Sequence, residues 1–212
     1  MALPQTASLS ISASSFDRGF TVLPFGLGFT WFEEMDYDVS GDRLNDDDPR
    51  RLRSLKRSTM KLCELIDSLL PRQESGMAGE DEDGAGWIPE RIFLFGFSAG
   101  ACLAMEACLR IIHQARQPLG GAVCVAGGLK CDPTLGSKLF TSTLESRYTP
   151  ILIVAGSNDG MFPSKSAITA AKLYDLEAGS SFVQIFIKEG KVGTFYLSCT
   201  LSWIFRPGSS FF

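Results

Sequence analysis

Histidine, a common catalytic residue, is scarce in this sequence: His113 is the one histidine among 212 residues. The six cysteines include no C-x-x-C pair, so the ligand spacing typical of a zinc site is missing. We therefore expect no metal and no other cofactor. No apolar run reaches the roughly 18 residues that a membrane-spanning helix needs, and we expect no transmembrane segment.

An excess of positive charge is missing as well. The formal net charge is −4, which argues against nucleic acid or an anionic membrane surface as a partner. The one basic stretch, residues 50–57, interleaves with leucines at helical spacing and is predicted to be the solvated face of an amphipathic helix.

The N-terminal sequence and the cysteines bear on the cellular compartment. The first 24 residues lack the charged start and apolar core of a secretory signal. The cysteines fit apolar helix and strand patterns, as buried free thiols in a reducing compartment do. We therefore expect a cytoplasmic protein.

A short apolar strand pattern leads directly into Gly96-Phe97-Ser98-Ala99-Gly100, and a helix is predicted to follow. A G-x-S-x-G sequence between a strand and a helix is typical of a nucleophile elbow, a sharp turn that exposes the serine hydroxyl. We expect Gly96 and Gly100 to lie where a side chain would collide with the turn. Free N–H groups at the start of the helix, beginning with Ala99, would bind a developing oxyanion. The alternative is an ordinary turn that contains a serine.

A candidate carboxylate follows a second strand pattern. Residues 150–156 have the composition of a buried strand between a proline and a glycine, and Ser157-Asn158-Asp159-Gly160 comes next. Catalytic groups in open α/β sheets collect at the carboxyl ends of strands. Asp159 is therefore the candidate acid that orients a catalytic base; the alternative is that it only shapes the turn.

The single histidine is badly placed to be that base. His113 lies 15 positions after Ser98 on the predicted elbow helix, which is roughly 22 Å along the helix axis. A general base must come within roughly 3 Å of the proton that it takes. We interpret His113 as part of a solvated helix C-terminus, where a cationic side chain suits the helix dipole.

Three segments resemble the phospholipase/carboxylesterase family of α/β-hydrolases, which includes acyl-protein thioesterases and lysophospholipase-like enzymes. Residues 96–100 are similar to its G-F-S-x-G elbow. Residues 156–163 are similar to its G-x-x-D-x-x-V-P acid loop, with Phe162 in place of the usual small apolar residue. Trp31-Phe32 is similar to its W-F-D segment near the substrate groove. The resemblance covers roughly residues 22–190.

The resemblance implies two-step acyl transfer by a serine hydrolase. Ser98 would attack an ester or thioester carbonyl, the oxyanion would bind the Ala99 N–H and a second N-terminal donor, and a histidine oriented by Asp159 would move the proton. The implied substrates are lysophospholipids, short carboxylic esters or S-acylated proteins. The candidate walls for an acyl chain, which could equally be core residues, are Trp31, Phe32 and Phe97.

Two parts of the family pattern are absent. Residues 1–30 contain no His-Gly pair of the L-H-G-x-G loop that supplies the second oxyanion donor, and residues 190–194 are Gly-Lys-Val-Gly-Thr where Gly-His is expected. Because the pattern stops at about Lys191, we hypothesise that both ends are replaced, as in a splice isoform or a gene-model error. The alternative to an active serine hydrolase is therefore a catalytically inactive hydrolase-like protein.

Alternating strand and helix patterns predict an α/β-hydrolase-type fold. We expect a mostly parallel sheet with helices on both faces, incomplete at both termini. Strands are predicted at about 92–97, 121–126, 151–156 and 182–188, with a further candidate strand at 20–23. Helices are predicted at about 50–70, 99–116 and 164–177. We expect a divergent N-terminus at 1–20, a hydrolase domain at 21–190 with a flexible acidic insertion at 71–86, and a divergent tail at 191–212.

Overall fold

The computed structural model shows an α/β fold. Its strands are β1 (Thr21–Leu23), β2 (Gly26–Gly28), β3 (Phe93–Phe97), β4 (Gly121–Val125), β5 (Ile151–Gly156) and β6 (Val183–Lys188). Its helices are α1 (Pro49–Leu69), α2 (Ala99–His113) and α3 (Ser164–Ala178), with a 3-10 turn at Pro89–Arg91. The structure describes residues 7–13, 21–23, 26–28, 30–34, 43–71, 86–114, 117–129, 148–178 and 182–190.

The central sheet has four parallel strands in the spatial order β3-β4-β5-β6. Its register aligns Phe97 with Val125, Val125 with Val154, and Val154 with Phe186. Strands β1 and β2 form a separate antiparallel pair. Because the four strands are parallel and in register, their carboxyl ends lie at one edge of the sheet, and the predicted mostly parallel sheet is confirmed.

The predicted strands and helices agree with the observed ones to within one residue at most ends. Helix α2 ends at His113, earlier than predicted, and residues 115–116 lie outside the described residues. Strand β2 and the 3-10 turn were not predicted. Most of the acidic insertion expected at 71–86 and the whole tail at 191–212 lie outside the described residues, as does most of the N-terminal 1–20 segment.

Helix α1 begins and ends where local chemistry places its boundaries. The side chain of Asp48 caps the N-terminus by accepting the Arg50 N–H at 2.8 Å, and Pro49 occupies the first turn, where its missing N–H costs nothing. The chain leaves the helix at Leu70, which is extended as a residue before a proline must be.

The buried face of α1 corrects one expectation. Arg53, Lys56 and Arg57 are exposed, as predicted for a solvated face. Arg51 is only 1% exposed and shares the buried face with residues such as Leu55. The expectation that the whole basic stretch is solvated is wrong for Arg51, because this residue is one helical turn from Leu55 and therefore points the same way.

The main core lies between the sheet and the helices. Helices α2 and α3 and the inner face of α1 share one apolar cluster with β4 and β5, in which Met105, Ile153 and Tyr174 are fully buried. A second cluster on the opposite face of the sheet contains Val125 and Val154 and, within the described residues, no helix residue. No helix in the described part of the chain is both long and apolar enough to cross a membrane.

Candidate active site

The predicted elbow connects β3 to α2 at the carboxyl edge of the sheet. Ser98 has φ 52° and is exposed. Its N–H donates to the Val125 carbonyl at 2.8 Å, and its carbonyl accepts the Ala101 N–H at 3.0 Å. Left-handed backbone is strained for a residue with a Cβ, and these two bonds hold Ser98 in it. The strand–turn–helix context of a nucleophile elbow is therefore present.

The two elbow glycines have different reasons to be glycine. A Cβ on Gly96 would collide with the Gly100 carbonyl and lie 2.6 Å from the Ala101 Cα. A Cβ on Gly100 would make only an ordinary contact, 3.5 Å from Nε1 of Trp31. The expectation of a collision at Gly100 is wrong, because Gly100 faces Trp31 and only Gly96 lies under the first turn of α2.

Gly127 is a part of this site that the sequence analysis missed. A Cβ on Gly127 would collide with the Ser98 carbonyl oxygen and would lie 2.9 Å from the Ala101 Cβ. The preceding residue, Ala126, also has φ 52°. The end of β4 therefore packs directly against the elbow. The available signal was the Gly127-Gly128 pair immediately after an apolar strand.

Asp159 lies in the loop after β5 and is buried. Its Oδ1 accepts the backbone N–H groups of Met161 and Phe162, each at 2.9 Å. The Phe162 ring packs in the main core beside Gly128. The carboxylate therefore shapes its own loop, and that loop is anchored in the core by Phe162.

Ser98 and Asp159 lie at the same edge of the sheet with β4 between them. The Ser98 N–H bonds to the end of β4, and the Ala126 N–H bonds in turn to Val154 of β5 at 2.8 Å. Two strand spacings separate β3 from β5 by about 10 Å.

His113 is at the other end of α2 from the elbow. The helix is continuous from Ala99 to His113, which places His113 about 21 Å from Ala99 along the helix axis. The backbone of His113 therefore lies at the opposite end of an unbroken helix from Ser98. The sequence has no second histidine, so no imidazole is assigned to the base that Asp159 would orient.

The three candidate acyl-chain walls lie in different surroundings. Trp31 is half-buried beside Gly100 of the elbow. Phe32 is 2% exposed and packs against α1 and α2, which favours a packing role. Phe97 is half-buried and belongs to the cluster on the opposite face of the sheet. Of the two that come from outside the elbow sequence, Trp31 is the one whose side chain the structure places beside Gly100.

A buried arginine lies behind the Trp31-Phe32 segment. The Arg51 guanidinium is 5.0 Å from the centre of the Phe32 ring, and its Nη1 donates to the Asp46 carbonyl at 3.2 Å. Burial raises the pKa of Glu34, and the charge of Arg51 partly offsets this effect. The arginine therefore contacts both Phe32 and Asp46, which precede α1 in the chain.

The cysteine closest to the elbow is not poised for catalysis. Cys102, on the first turn of α2, is buried, and burial raises the pKa of its thiol to about 11. A cysteine reacts as a nucleophile in its thiolate form. Because the Cys102 thiol stays protonated at neutral pH, this residue is an unreactive part of the core. No group of three His, Cys, Asp or Glu side chains within the described residues could hold a metal ion.

Comparison with known proteins adds the family. The sequence pattern of the family described as Phospholipase/Carboxylesterase matches residues 23–182, about three quarters of the chain. The chain belongs to this family. The predicted resemblance is thereby confirmed.

A curated relative is an uncharacterised hydrolase of Mycosarcoma maydis, 27% identical over 135 residues. The match covers 64% of this chain and 42% of the relative. The chain therefore spans less than half the length of that hydrolase.

Solved structures share the fold. Esterase PE8 is similar with a TM-score of 0.57 and 20% identity, over 84% of this chain and 73% of the esterase. SOBER1 of Arabidopsis thaliana is similar with a TM-score of 0.55 and 21% identity, over 79% of this chain and 67% of SOBER1. Acyl-protein thioesterase 2 of Zea mays is similar with a TM-score of 0.54 and 19% identity, over 79% of this chain and 66% of the thioesterase. The predicted α/β-hydrolase-type fold is confirmed.

Proposed function

We propose that this chain is a serine hydrolase of carboxylic esters or thioesters, with Ser98 as nucleophile and Asp159 as the acid. The observation that carries the proposal is the exposed Ser98 at φ 52°, between β3 and the first turn of α2. Strain at such a position persists only where the surrounding structure supports it, and it concentrates at functional sites. Family membership and the buried Asp159 on the same sheet edge support the assignment.

The proposed reaction has two steps. The Ser98 Oγ attacks the substrate carbonyl while a base takes its proton, and the Ala99 N–H at the start of α2 stabilises the tetrahedral oxyanion. The intermediate collapses, the leaving alcohol or thiol takes the proton, and an acyl-serine remains. Water then attacks the acyl-serine by the same route and releases the carboxylic acid.

The position of His113 favours a second candidate function, a catalytically inactive hydrolase-like protein. With the only histidine at the far end of α2, the base of the triad has no assigned residue. Hydrolases that lose triad members retain roughly 10³–10⁴-fold catalysis over water, from oxyanion binding and substrate positioning alone. Such residual activity would be too low for useful turnover.

The proposed substrates are short carboxylic esters, lysophospholipids and S-acylated proteins. Acyl-protein thioesterase 2 of Zea mays shares the fold, and the half-buried Trp31 beside the elbow offers an apolar surface for an acyl chain. We propose a cytoplasmic location, supported within the described residues by three buried free thiols: Cys102, Cys108 and Cys124.

Hydrolysis of p-nitrophenyl butyrate by the purified chain tests the proposal. We expect S98A to reduce the rate to background, because the hydroxyl that becomes acylated is gone. The matched control is S68A, which removes an exposed hydroxyl bonded within α1 to the Leu65 carbonyl. We expect S68A to retain the wild-type rate. Equal rates for folded wild type and S98A would establish the inactive alternative.

A further inference from the structure

A hydrogen-bond donor with no partner among the described residues lies beside the first turn of α2. The Trp31 Nε1 is the nearest atom to a Cβ placed on Gly100, at 3.5 Å. Trp31 is half-buried, and the structure shows its carbonyl, but not its indole N–H, in a hydrogen bond to the described residues. An indole nitrogen donates and never accepts, so the group beside the elbow suits an anionic oxygen.

Buried contacts hold this indole in place. The Ser58 Oγ on α1 donates a hydrogen bond to the Trp31 carbonyl. The next residue, Phe32, is packed between Leu55 of α1 and Cys102 of α2. The Trp31 side chain itself packs against the same cluster, so its backbone and its ring are both held against the two helices. A donor fixed in advance is effective in catalysis because it needs no reorganisation when charge develops.

The elbow by itself offers one donor for the oxyanion. The N–H of Ala99 opens α2 and has no acceptor within the helix. The family's second donor comes from an L-H-G-x-G loop, and residues 1–30 contain no His-Gly pair. A site with one donor would stabilise the tetrahedral intermediate poorly, since removal of a single oxyanion donor costs about 10²–10³ in kcat.

We propose that the Trp31 indole N–H is the second hydrogen-bond donor to the oxyanion formed at Ser98. The inference rests on the proposed function, and it assigns a catalytic role to a residue that would otherwise only line the acyl groove. After deacylation the same two donors, the Ala99 N–H and the Trp31 N–H, bind the carboxylate of the product.

The first test separates a donor from a hydrophobic wall. In W31F the ring is kept and the N–H is removed, so we expect kcat for p-nitrophenyl butyrate to fall about 100-fold with little change in KM. The control is W87F, at an exposed tryptophan whose backbone N–H bonds to Leu69 at the far end of α1. The proposal would be overturned if kcat of W31F equalled that of wild type. It would also be overturned if W31F raised KM by a factor that grows with the length of the acyl chain, as loss of a hydrophobic wall would do.

The second test does not depend on turnover. Butyrate, the reaction product, is titrated into ¹⁵N-labelled wild type and S98A, and the indole N–H resonance of Trp31 is identified by its loss in W31F. We expect that resonance to move downfield and saturate in both proteins, and the Trp87 resonance to stay in place. A Trp31 resonance that does not respond overturns the proposal.

The two tests distinguish failure of the inference from failure of the proposed function. If S98A and wild type hydrolyse the ester equally but the Trp31 resonance moves, the proposed function fails and the anion site with its indole donor stands. If S98A loses activity but W31F keeps kcat and the resonance is unmoved, the serine hydrolase stands and Trp31 is not a donor.

Discussion

At the residue scale, the site depends on two neighbouring positions with left-handed backbone. Ser98 and Ala126 both have φ 52° and follow the last residues of adjacent strands. The Ser98 N–H bonds to the Val125 carbonyl, so the two strained turns brace each other. Each such residue costs on the order of 1–3 kcal/mol. The fold accepts that cost where the serine hydroxyl is exposed.

Gly127 should not tolerate a methyl group. In G127A the new Cβ would meet the Ser98 carbonyl, and we expect a loss of about 1–3 kcal/mol in the free energy of unfolding, as for other overpacked sites. Ester hydrolysis should fall too, because the elbow must shift. Urea denaturation measures the first effect. The control is G160A, where nothing lies within 4 Å; equal stability of the two variants would contradict the prediction.

Asp159 has two roles that two substitutions can separate. D159A removes the acceptor of the Met161 and Phe162 N–H groups, and we expect it to destabilise the protein by about 1–3 kcal/mol. D159N keeps an oxygen at that position and should be nearly as stable as wild type. If Asp159 orients a base, both variants lose ester hydrolysis. Full activity in D159N would mean that Asp159 only shapes its loop.

At the element scale, most boundaries follow from local chemistry. Asp48 and Pro49 begin α1, and the residue before Pro71 ends it. Short β-branched and apolar runs predict the four parallel strands. The buried face of α1 was harder to predict from the sequence, because Arg51 is charged and yet nearly fully buried. Its burial depends on Phe32 and Asp46, which come from the segment that precedes α1 in the chain. Helical periodicity contains no information about that segment.

The cap of α1 should make stability depend on acid pH. The pKa of Asp48 is lowered, first by the hydrogen bond from the Arg50 side chain. A carboxyl with a lowered folded pKa stabilises the fold above its unfolded pKa, and this contribution disappears as pH falls through the lower, folded value. Thermal unfolding from pH 5 to pH 2 should therefore show a steeper loss of Tm in wild type than in D48N.

The matched control for this pH dependence is D47N. Asp47 is the exposed neighbour of the cap and does not occupy the N-cap position. We expect its Tm profile to follow that of wild type. If D48N and D47N lose Tm in parallel with wild type down to pH 2, the cap does not account for acid sensitivity.

At the scale of the whole molecule, one core connects all three helices to the sheet. Cys63 of α1, Cys108 of α2 and Cys124 of β4 lie in it together. The opposite face of the sheet presents Phe93 and Phe95, which are 68% and 48% exposed. The described part of the molecule is therefore well packed on one side of the sheet and more open on the other.

The core cysteines should react only after global unfolding. Burial raises the pKa of Cys102 to about 11 and that of Cys108 to about 12, and it raises the pKa of Cys124 well above its ordinary value. At pH 8 these thiols are protonated and enclosed, so iodoacetamide should leave them unmodified in the native protein and alkylate them in urea. Peptide mass spectrometry measures this. Rapid native alkylation of Cys102 would contradict the packing described here.

The sequence by itself determined the features that depend on short stretches of chain. The strand–turn–helix at Ser98, the loop that contains Asp159, the four parallel strands and the helix that runs from Ala99 to His113 all follow from local patterns, since strand, turn and helix signals lie within a few residues of one another. The family resemblance rested on the same short motifs.

Only the tertiary structure decided which distant residues meet. Trp31 faces Gly100, Gly127 packs against the Ser98 carbonyl, and Arg51 lies over Phe32. Each pair joins segments that are separated by at least 19 residues, and the sheet order with helix packing brings them together. Local propensity cannot specify such contacts, because they depend on how faces of different elements are pressed against each other. For that reason the steric need at Gly127 and the position of the Trp31 indole beside Gly100 became visible only in three dimensions.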